Sequence, residues 1–507
     1  MLRARFLILL VTAVAACAQG KLPADYDGYV RRAMKEYGVP GVSIAIVKDG
    51  ATVLLQGYGA RAEGKPGAVD PDTVFGIASL SKAFTAAAIA MLADEGRLGW
   101  DDPVVKHLPW FQLWDPWVTR EITVRDLLCH RSGLPPYGGD MLSFFSPVPR
   151  EEIVRRLRWL KPESSFRSRY AYQNNMYLAA GEVIRAASGV TWDEFVARRI
   201  FDPLGMKRSS TSIKNFPPDG NVAMPHAKVR GGQQLIEWPN WDSTGAAGAI
   251  NASARDMAEW MRLQLGAGEY RGKRLFSEAS SREMWTPHTI TPAPRIPPGA
   301  RLPRPNFTAY GLGWALFDYQ GRKAVTHSGG LTGMTCRLLL LPSERLGVLV
   351  LTNAENPLHY PLIYRAADAL LGLPETDWIA VHRDAQRRTP ERRFPARVEG
   401  TRPALAPEAY AGLYRNPMLG DVRIERNEAR WRLRMEGLGP EAEAVMEHWN
   451  YETFRLTWKD PTWPLTNLVF QLDSQGAIEG ARMEVAEPAD PSFDFHNYPL
   501  ERVHAKK

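Results

Sequence analysis

At 507 residues the chain exceeds the size at which one hydrophobic core keeps growing, so two or three domains are expected. Its 45% hydrophobic, 10% aromatic and 23% charged residues exclude a disordered, collagen-like or coiled-coil protein. The excess of 63 Lys and Arg over 56 Asp and Glu is spread without a dense basic block, which argues for solubility and no nucleic-acid partner, and three cysteines, Cys17, Cys129 and Cys336, make neither a disulfide scaffold nor a zinc cluster.

Arg3 and Arg5 precede an apolar run, Phe6 to Ala16 broken only by Thr12, and small residues follow at Ala15 to Ala18. Residues 1–18 therefore read as an export signal, too short to span a bilayer. Two endings fit. One is cleavage after Ala18, and the other is a bacterial lipobox at Val14-Ala15-Ala16-Cys17 with Cys17 lipidated and anchoring the chain to the membrane. The protein is expected to be exported, either periplasmic or a membrane-anchored lipoprotein of a bacterium.

Val42 to Val47 and Thr52 to Gln56 are β-rich runs around the turn signal Lys48-Asp49-Gly50, which predicts a hairpin. Ser81 to Glu95 is rich in Ala, Leu, Met and Phe and stops at Gly96, a helix with a glycine end. Helical patterns follow at Glu151 to Leu160, Asn175 to Ala187 and Asp256 to Leu265, the last with Ser253 and Asp256 spaced as a capping box. Residues 285–307 hold seven prolines and predict an extended loop. Short β-rich runs return at Gly313 to Phe317, Lys323 to Ser328, Thr335 to Leu341 and Gly347 to Thr352. A sheet begun early and resumed after a mostly helical insertion is an α+β arrangement, here over residues 22–375. Residues 376–404 turn Arg- and Pro-rich and read as a linker. From 405 to 500 the period becomes two: Val422 and Ile424, then Leu433 and Met435, then Leu468, Phe470 and Leu472 alternate with polar residues. This predicts a small all-β barrel or sandwich.

Ser79-Leu80-Ser81-Lys82 lies where Val74 to Ile77, a strand, meets the first long helix. Residues i and i+3 share a helix face, so Lys82 can reach the Ser79 hydroxyl, the arrangement of a serine nucleophile served by a lysine. Taken alone, the spacing is that of a helix cap beside a solvated lysine. Other chemistries lack their residues. Gly59 to Lys65 is followed by Pro66 where a P-loop needs Ser or Thr, and no Gly-x-Ser-x-Gly elbow surrounds Ser79. No His-Glu-x-x-His or paired-Cys spacing occurs, so neither a metal nor another cofactor is expected. His130, in Leu-Leu-Cys-His-Arg-Ser-Gly, reads as structural.

Two further segments, Tyr172-Gln173-Asn174 and His327-Ser328-Gly329-Gly330, complete a set. Together with Ser79-x-x-Lys82 they resemble the three motifs of the serine β-lactamase and penicillin-binding protein superfamily. Gly41 to Val47, Leu127 to Leu134, Gly245 to Gly248 and Tyr310 to Trp314 are similar to framework segments of its class C-like and esterase-like branch. The carboxy-terminal unit resembles the lipocalin-like domain appended in some D-peptidase and esterase members. The resemblance implies a β-lactamase/transpeptidase-like fold, with Ser79 as the acylated nucleophile and Lys82 and Tyr172 sharing its proton. It further implies that the N–H groups of Ser79 and Gly330, the latter beside Gly329, form an oxyanion hole, and that Asn174 holds Lys82 and donates to the substrate amide.

His327 departs from the lysine usual in β-lactamases and, with an ordinary pKa near 6.5, is mostly neutral at pH 7. A fixed cation for a β-lactam carboxylate is then missing, and protonation of His327 toward pH 5.5 is expected to supply one. The expectation is an exported serine hydrolase acting on a small ester, amide or D-amino-acid peptide. The alternatives are a β-lactamase, a D-Ala-D-Ala carboxypeptidase, or a penicillin-binding sensor with little turnover. The first unit is expected to carry this chemistry without the second, and oligomeric state is left open.

Overall fold

The computed structural model describes residues 20–229, 232–390, 394–427 and 430–504, so the export signal read over 1–18, with Cys17, lies outside the described residues. Helix α1 (Tyr26–Tyr37) ends at Gly38, whose positive φ of 64° lets its N–H close back on the Met34 carbonyl. Strands β1 (Gly41–Lys48) and β2 (Ala51–Gly59) form the expected hairpin. Its turn places Asp49 and Gly50 at φ 52° and 78°, the pair of positive values that a tight two-residue connection requires.

The insertion contributes α2 (Ser81–Asp94), a short α3 (Asp140–Phe145), α4 (Asn174–Ser188) and α5 (Ala254–Leu265). Every residue of α2 from Ser81 to Leu92 is buried, so this helix is a core element with no solvent face. It ends where Gly96 takes φ 68°. Ser253 caps α5 by accepting the Asp256 N–H at 3.1 Å. The reciprocal half of the expected capping box is absent, because the Asp256 carboxylate accepts instead from Arg208 N–H and the Ser209 hydroxyl, both at 2.8 Å.

The sheet resumes with β3 (Thr289–Ile290), β4 (Thr308–Tyr310), β5 (Ala315–Tyr319), β6 (Arg322–Leu331), β7 (Met334–Leu341) and β8 (Leu346–Thr352). Its eight antiparallel strands run β2-β1-β8-β7-β6-β5-β4-β3, so the early hairpin docks on the last strand. Alternation assigns the two faces. Ala45, Val47, Leu338, Leu340, Leu349 and Leu351 face the helical insertion, while Ile44, Ile46, Leu339, Leu341, Val348 and Val350 face α1 and the carboxy-terminal helices. The expected α+β class is what the chain adopts.

Helix α6 (His359–Leu370) is followed by α7 (Trp378–Arg388), which occupies the first half of the stretch read as linker. Trp378, Ile379, His382 and Ala385 are its buried residues, an i, i+3/i+4 stripe that the Arg-rich composition concealed. The Trp378 indole N–H donates to Asp368 of α6 at 2.8 Å, which fastens α7 to the sheet layer. The remaining described residues to 404 form no helix or strand.

The carboxy-terminal residues close into an eight-stranded antiparallel barrel. Its strands are β9 (Gly412–Asn416), β10 (Gly420–Asn427), β11 (Arg430–Met435), β12 (Glu443–Asn450), β13 (Thr453–Trp458), β14 (Thr466–Leu472), β15 (Ile478–Val485) and β16 (Leu500–Arg502). Between β15 and β16 the chain leaves the barrel and crosses to the first unit. There Phe493 stacks on Phe145 with ring centres 4.7 Å apart, and Trp463 meets the same ring edge-on at 5.3 Å. A further tie is the Arg156 guanidinium, which donates to the Met418 carbonyl at 2.8 Å. Among the described residues no helix is long and apolar enough to cross a membrane.

Candidate active site

Ser79 sits in a single 3-10 turn, Ala78–Leu80, between the Val74–Gly76 strand and α2. Ala78 is held at φ 48°, a left-handed conformation that costs an alanine on the order of 1 kcal/mol and marks a tightly determined turn. The turn uses the N–H groups of Leu80 and Ser81, bonded to Ile77 and Ala78, and leaves the Ser79 N–H out of its own pattern.

Two side chains converge on the hydroxyl. Lys82 Nζ lies 3.0 Å and Tyr172 Oη 2.8 Å from Ser79 Oγ. Lys82 is fully buried and also donates to Asn174 Oδ1 at 2.7 Å and to the Ala247 carbonyl at 2.9 Å. Burial lowers its pKa to about 7, with Asp140 pulling the other way. Tyr172 moves oppositely: burial first, then neighbouring Tyr310, pushes its pKa well above the ordinary value, so it stays protonated. Of the pair read as sharing the serine proton, only Lys82 is tuned to accept it near neutral pH.

Asn174 opens α4. Its carbonyl accepts from Lys82, and one of the two N–H groups of its amide donates to Asp140 Oδ2 at 2.7 Å, while the residue also lines the cavity.

His327 lies on β6 with Nδ1 2.6 Å from the Ser328 carbonyl and Nε2 2.8 Å from Tyr310 Oη. A carbonyl only accepts, so Nδ1 carries the proton and Nε2 accepts from the tyrosine. Burial, then Lys82, lowers its pKa to about 3. His327 is therefore neutral from pH 5.5 to 8, and the cation expected from its protonation does not form in that window. A fixed cation does stand on the next strand. Arg337 on β7 stands opposite Ser328 and lines the same cavity, its guanidinium 4.6 Å from the Tyr360 ring centre. Sequence reasoning missed it; the available signal was an arginine inside the apolar run of β7.

The two glycines of the third motif differ. A Cβ on Gly329 would fall 2.3 Å from the Ile77 carbonyl oxygen, so only glycine lets β6 press against the Ser79 turn. Gly330 has open space around it and lines the cavity with Ser79. His130 accepts the Gln173 N–H at 3.0 Å and packs 4.2 Å from the Tyr172 ring, a structural role that orients Tyr172.

Ser79, Tyr172, Asn174, His327 and Gly330 thus meet around one cavity of about 380 Å³, with Lys82 behind Ser79. Asp490, Pro491 and Ser492, from the segment between β15 and β16, form part of its wall. The sequence reading expected the first unit to carry the chemistry alone; in the structure the second unit supplies part of the cavity wall. Barrel closure brings β15 and β16 together, and the loop joining them is directed into the first unit.

Residues 26–372 match the family Beta-lactamase, and residues 396–502 match Domain of unknown function (DUF3471). The unguisins hydrolase ungD' of Aspergillus campestris (strain IBT 28561) is 29% identical over 443 residues, covering 81% of this chain and 79% of that protein. Among solved structures, the octameric penicillin-binding protein homologue from Pyrococcus abyssi superposes with a TM-score of 0.61 at 25% identity, covering 94% of this chain and 99% of that one. The D-amino acid amidase from Ochrobactrum anthropi SV3 has a TM-score of 0.56 at 24% identity, covering 69% and 98%. With a family match over most of its length and a serine, lysine and tyrosine meeting at one point, this chain belongs to the beta-lactamase family and is a serine hydrolase.

Proposed function

We propose that this protein forms a covalent acyl-enzyme on Ser79 and acts on small esters or short D-amino-acid peptides. The observation that carries the reading is the convergence of Lys82 Nζ and Tyr172 Oη on Ser79 Oγ at 3.0 and 2.8 Å. Neutral Lys82 takes the hydroxyl proton as Oγ attacks the substrate carbonyl. The N–H groups of Ser79 and Gly330 receive the developing oxyanion. Protonated Tyr172 gives its proton to the departing alcohol or amine, and the Lys82 ammonium, 4.9 Å from the Tyr172 ring centre, gives up the proton it took from Ser79 to restore it, so that both end in their starting states. Water then attacks the acyl group by the same route.

Arg337 and Asp490 set opposite charges on the wall of one cavity. This favours a substrate carrying a carboxylate and an ammonium group, as a short peptide does. Arg337 also supports the second reading, a β-lactam or D-Ala-D-Ala substrate, because it replaces the cation that His327 does not provide. Hydrolysis by a relative named an unguisins hydrolase is consistent with either. Export belongs to the same proposal and rests on Arg3, Arg5 and the apolar run ahead of Ala16-Cys17-Ala18; fractionation of expressing cells, with Cys17→Ala to remove lipidation, tests it.

Intact-mass analysis after incubation with nitrophenyl esters, D-alanyl peptides and penicillins tests the chemistry. An adduct of acyl mass that appears and clears in wild type, and is absent in Ser79→Ala, is the expected result. A persistent adduct with every acyl donor would mark a sensor, and labelling of Ser79→Ala would overturn the assignment.

A further inference from the structure

Behind Lys82 a chain of buried polar groups leads out of the first unit and ends in the barrel. Asn174 Nδ2 donates to Asp140 Oδ2 at 2.7 Å. Asp140 is fully buried, and its other oxygen, Oδ1, has no closer support than the Ser492 hydroxyl. On either side of it, the N–H groups of Gly139 and Met141 donate to Asp494, at 2.8 Å to Oδ2 and 3.1 Å to Oδ1. Asp494 belongs to the segment between β15 and β16. It also accepts from Tyr498 Oη at 2.6 Å and Asn497 Nδ2 at 3.1 Å, and it too is fully buried.

Two carboxyl groups therefore share one buried region with unequal support. Asp494 is held by four donors, whereas Asp140 has Asn174 and, more weakly, the Ser492 hydroxyl, so a single negative charge settles on Asp494. Burial, and then Asp494, push the Asp140 pKa well above the ordinary carboxylate value, whereas burial raises that of Asp494 only to about 6. The groups facing Asp140 are Asn174 and Lys82 from the helical insertion, Tyr137 from its own loop, and Asp494, Ser492 and Tyr498 from the barrel segment. Those facing Lys82 are Ser79, Tyr172, Tyr177, Asn174, His130, His327 and Asp140, and both histidines are kept neutral by burial.

We propose that Asp494, carried into the first unit by the barrel, keeps Asp140 protonated and thereby leaves Lys82 free to give up its own proton. An ionised Asp140 would hold Lys82 as an ammonium through Asn174, and a lysine in that state cannot accept the Ser79 proton. Asp140 and Asp494 are then positioning residues, and the appended domain sets the basicity of the site it covers. This inference rests on the reading of Lys82 as the base.

The test is the rate of acylation of the full-length protein by a nitrophenyl ester, measured from pH 5 to 9 with thermal unfolding of each variant. Wild type is expected to lose rate on the acid side as Lys82 takes up a proton, at or below about pH 7 because a neutral Asp140 exerts no pull on it. Asp494→Asn should move this acid limb up by a unit or more, ~10-fold less rate at pH 6, and adding Asp140→Asn should return it toward wild type. Asp140→Ala, which releases Asn174, should lose rate across the range, and Asp140→Asn, which can still accept from Asn174, should recover it. An unmoved limb in a folded Asp494→Asn protein would overturn the proposal. Should that variant not fold, Asp140→Asn alone decides: a limb lowered by a unit or more means that Asp140 already carries the charge in wild type, and overturns it. Acylation that persists in Ser79→Ala removes the site reading itself, whereas Ser79-dependent acylation with an unmoved limb removes this inference alone.

Discussion

Replacing Lys82 by methionine separates what the site costs in stability from what it does. In the unfolded chain a lysine titrates near 10.5, and in the fold Lys82 titrates near 7 because it is fully buried. A shift of ~3.5 units corresponds to about 5 kcal/mol of opposition to folding when the group is charged in both states. Between pH 7 and 10.5 the unfolded state binds the extra proton, so wild-type stability rises with pH by ~1.4 kcal/mol per unit. The penalty is complete below about pH 7 and absent above the unfolded value. Lys82→Met removes it at every pH but strands Asn174 Oδ1 and the Ala247 carbonyl, which Lys82 now satisfies. Each stranded acceptor costs roughly 1–3 kcal/mol, so the sign at any one pH is not diagnostic. The slope is. Urea unfolding of wild type and Lys82→Met at pH 7, 8 and 9 should show the stability difference changing by ~2–3 kcal/mol in favour of wild type, while the variant fails to acylate at every pH. Parallel curves, with a difference constant to within ~0.5 kcal/mol, would refute a lysine that folds neutral near pH 7.

A chain ended near Pro390 retains α7 but loses the wall formed by Asp490 to Ser492 and the Asp494 support of Asp140; it should fold with exposed Phe145 and acylate at least ~10-fold more slowly, and an undiminished rate would make the barrel a bystander. Arg337→Gln should raise KM ~10- to 100-fold for substrates bearing a carboxylate and leave neutral esters nearly unchanged, at a ratio independent of pH from 5.5 to 8 because His327 stays neutral there. Equal losses on both substrate types would assign Arg337 to packing on Tyr360.

What could be read from the sequence was local or periodic. Ser79 and Lys82 are one helical turn apart, so their meeting follows from helix geometry once α2 is recognised. The alternation in β1, β7 and β8 and in the barrel strands follows from the pleat, and Asp49-Gly50 announces its own turn. Tyr172, Asn174 and His327 were reached only through the resemblance of short motifs, since nothing within each segment shows that it faces Ser79. Helix α7 is concealed by the Arg- and Pro-rich composition around its stripe of Trp378, Ile379, His382 and Ala385.

The tertiary structure decided the rest. Arg337 enters the site through its cross-strand register with Ser328, a property of the assembled sheet. Asp494 touches Gly139 across 355 positions, and no local pattern in either segment announces the pairing. Burial decides which proton moves, lowering Lys82, raising Tyr172 and silencing His327. The physical reason is the same throughout: residue type and spacing set which groups a short stretch presents, whereas the packing of distant segments sets the dielectric and the partners that give those groups their charge.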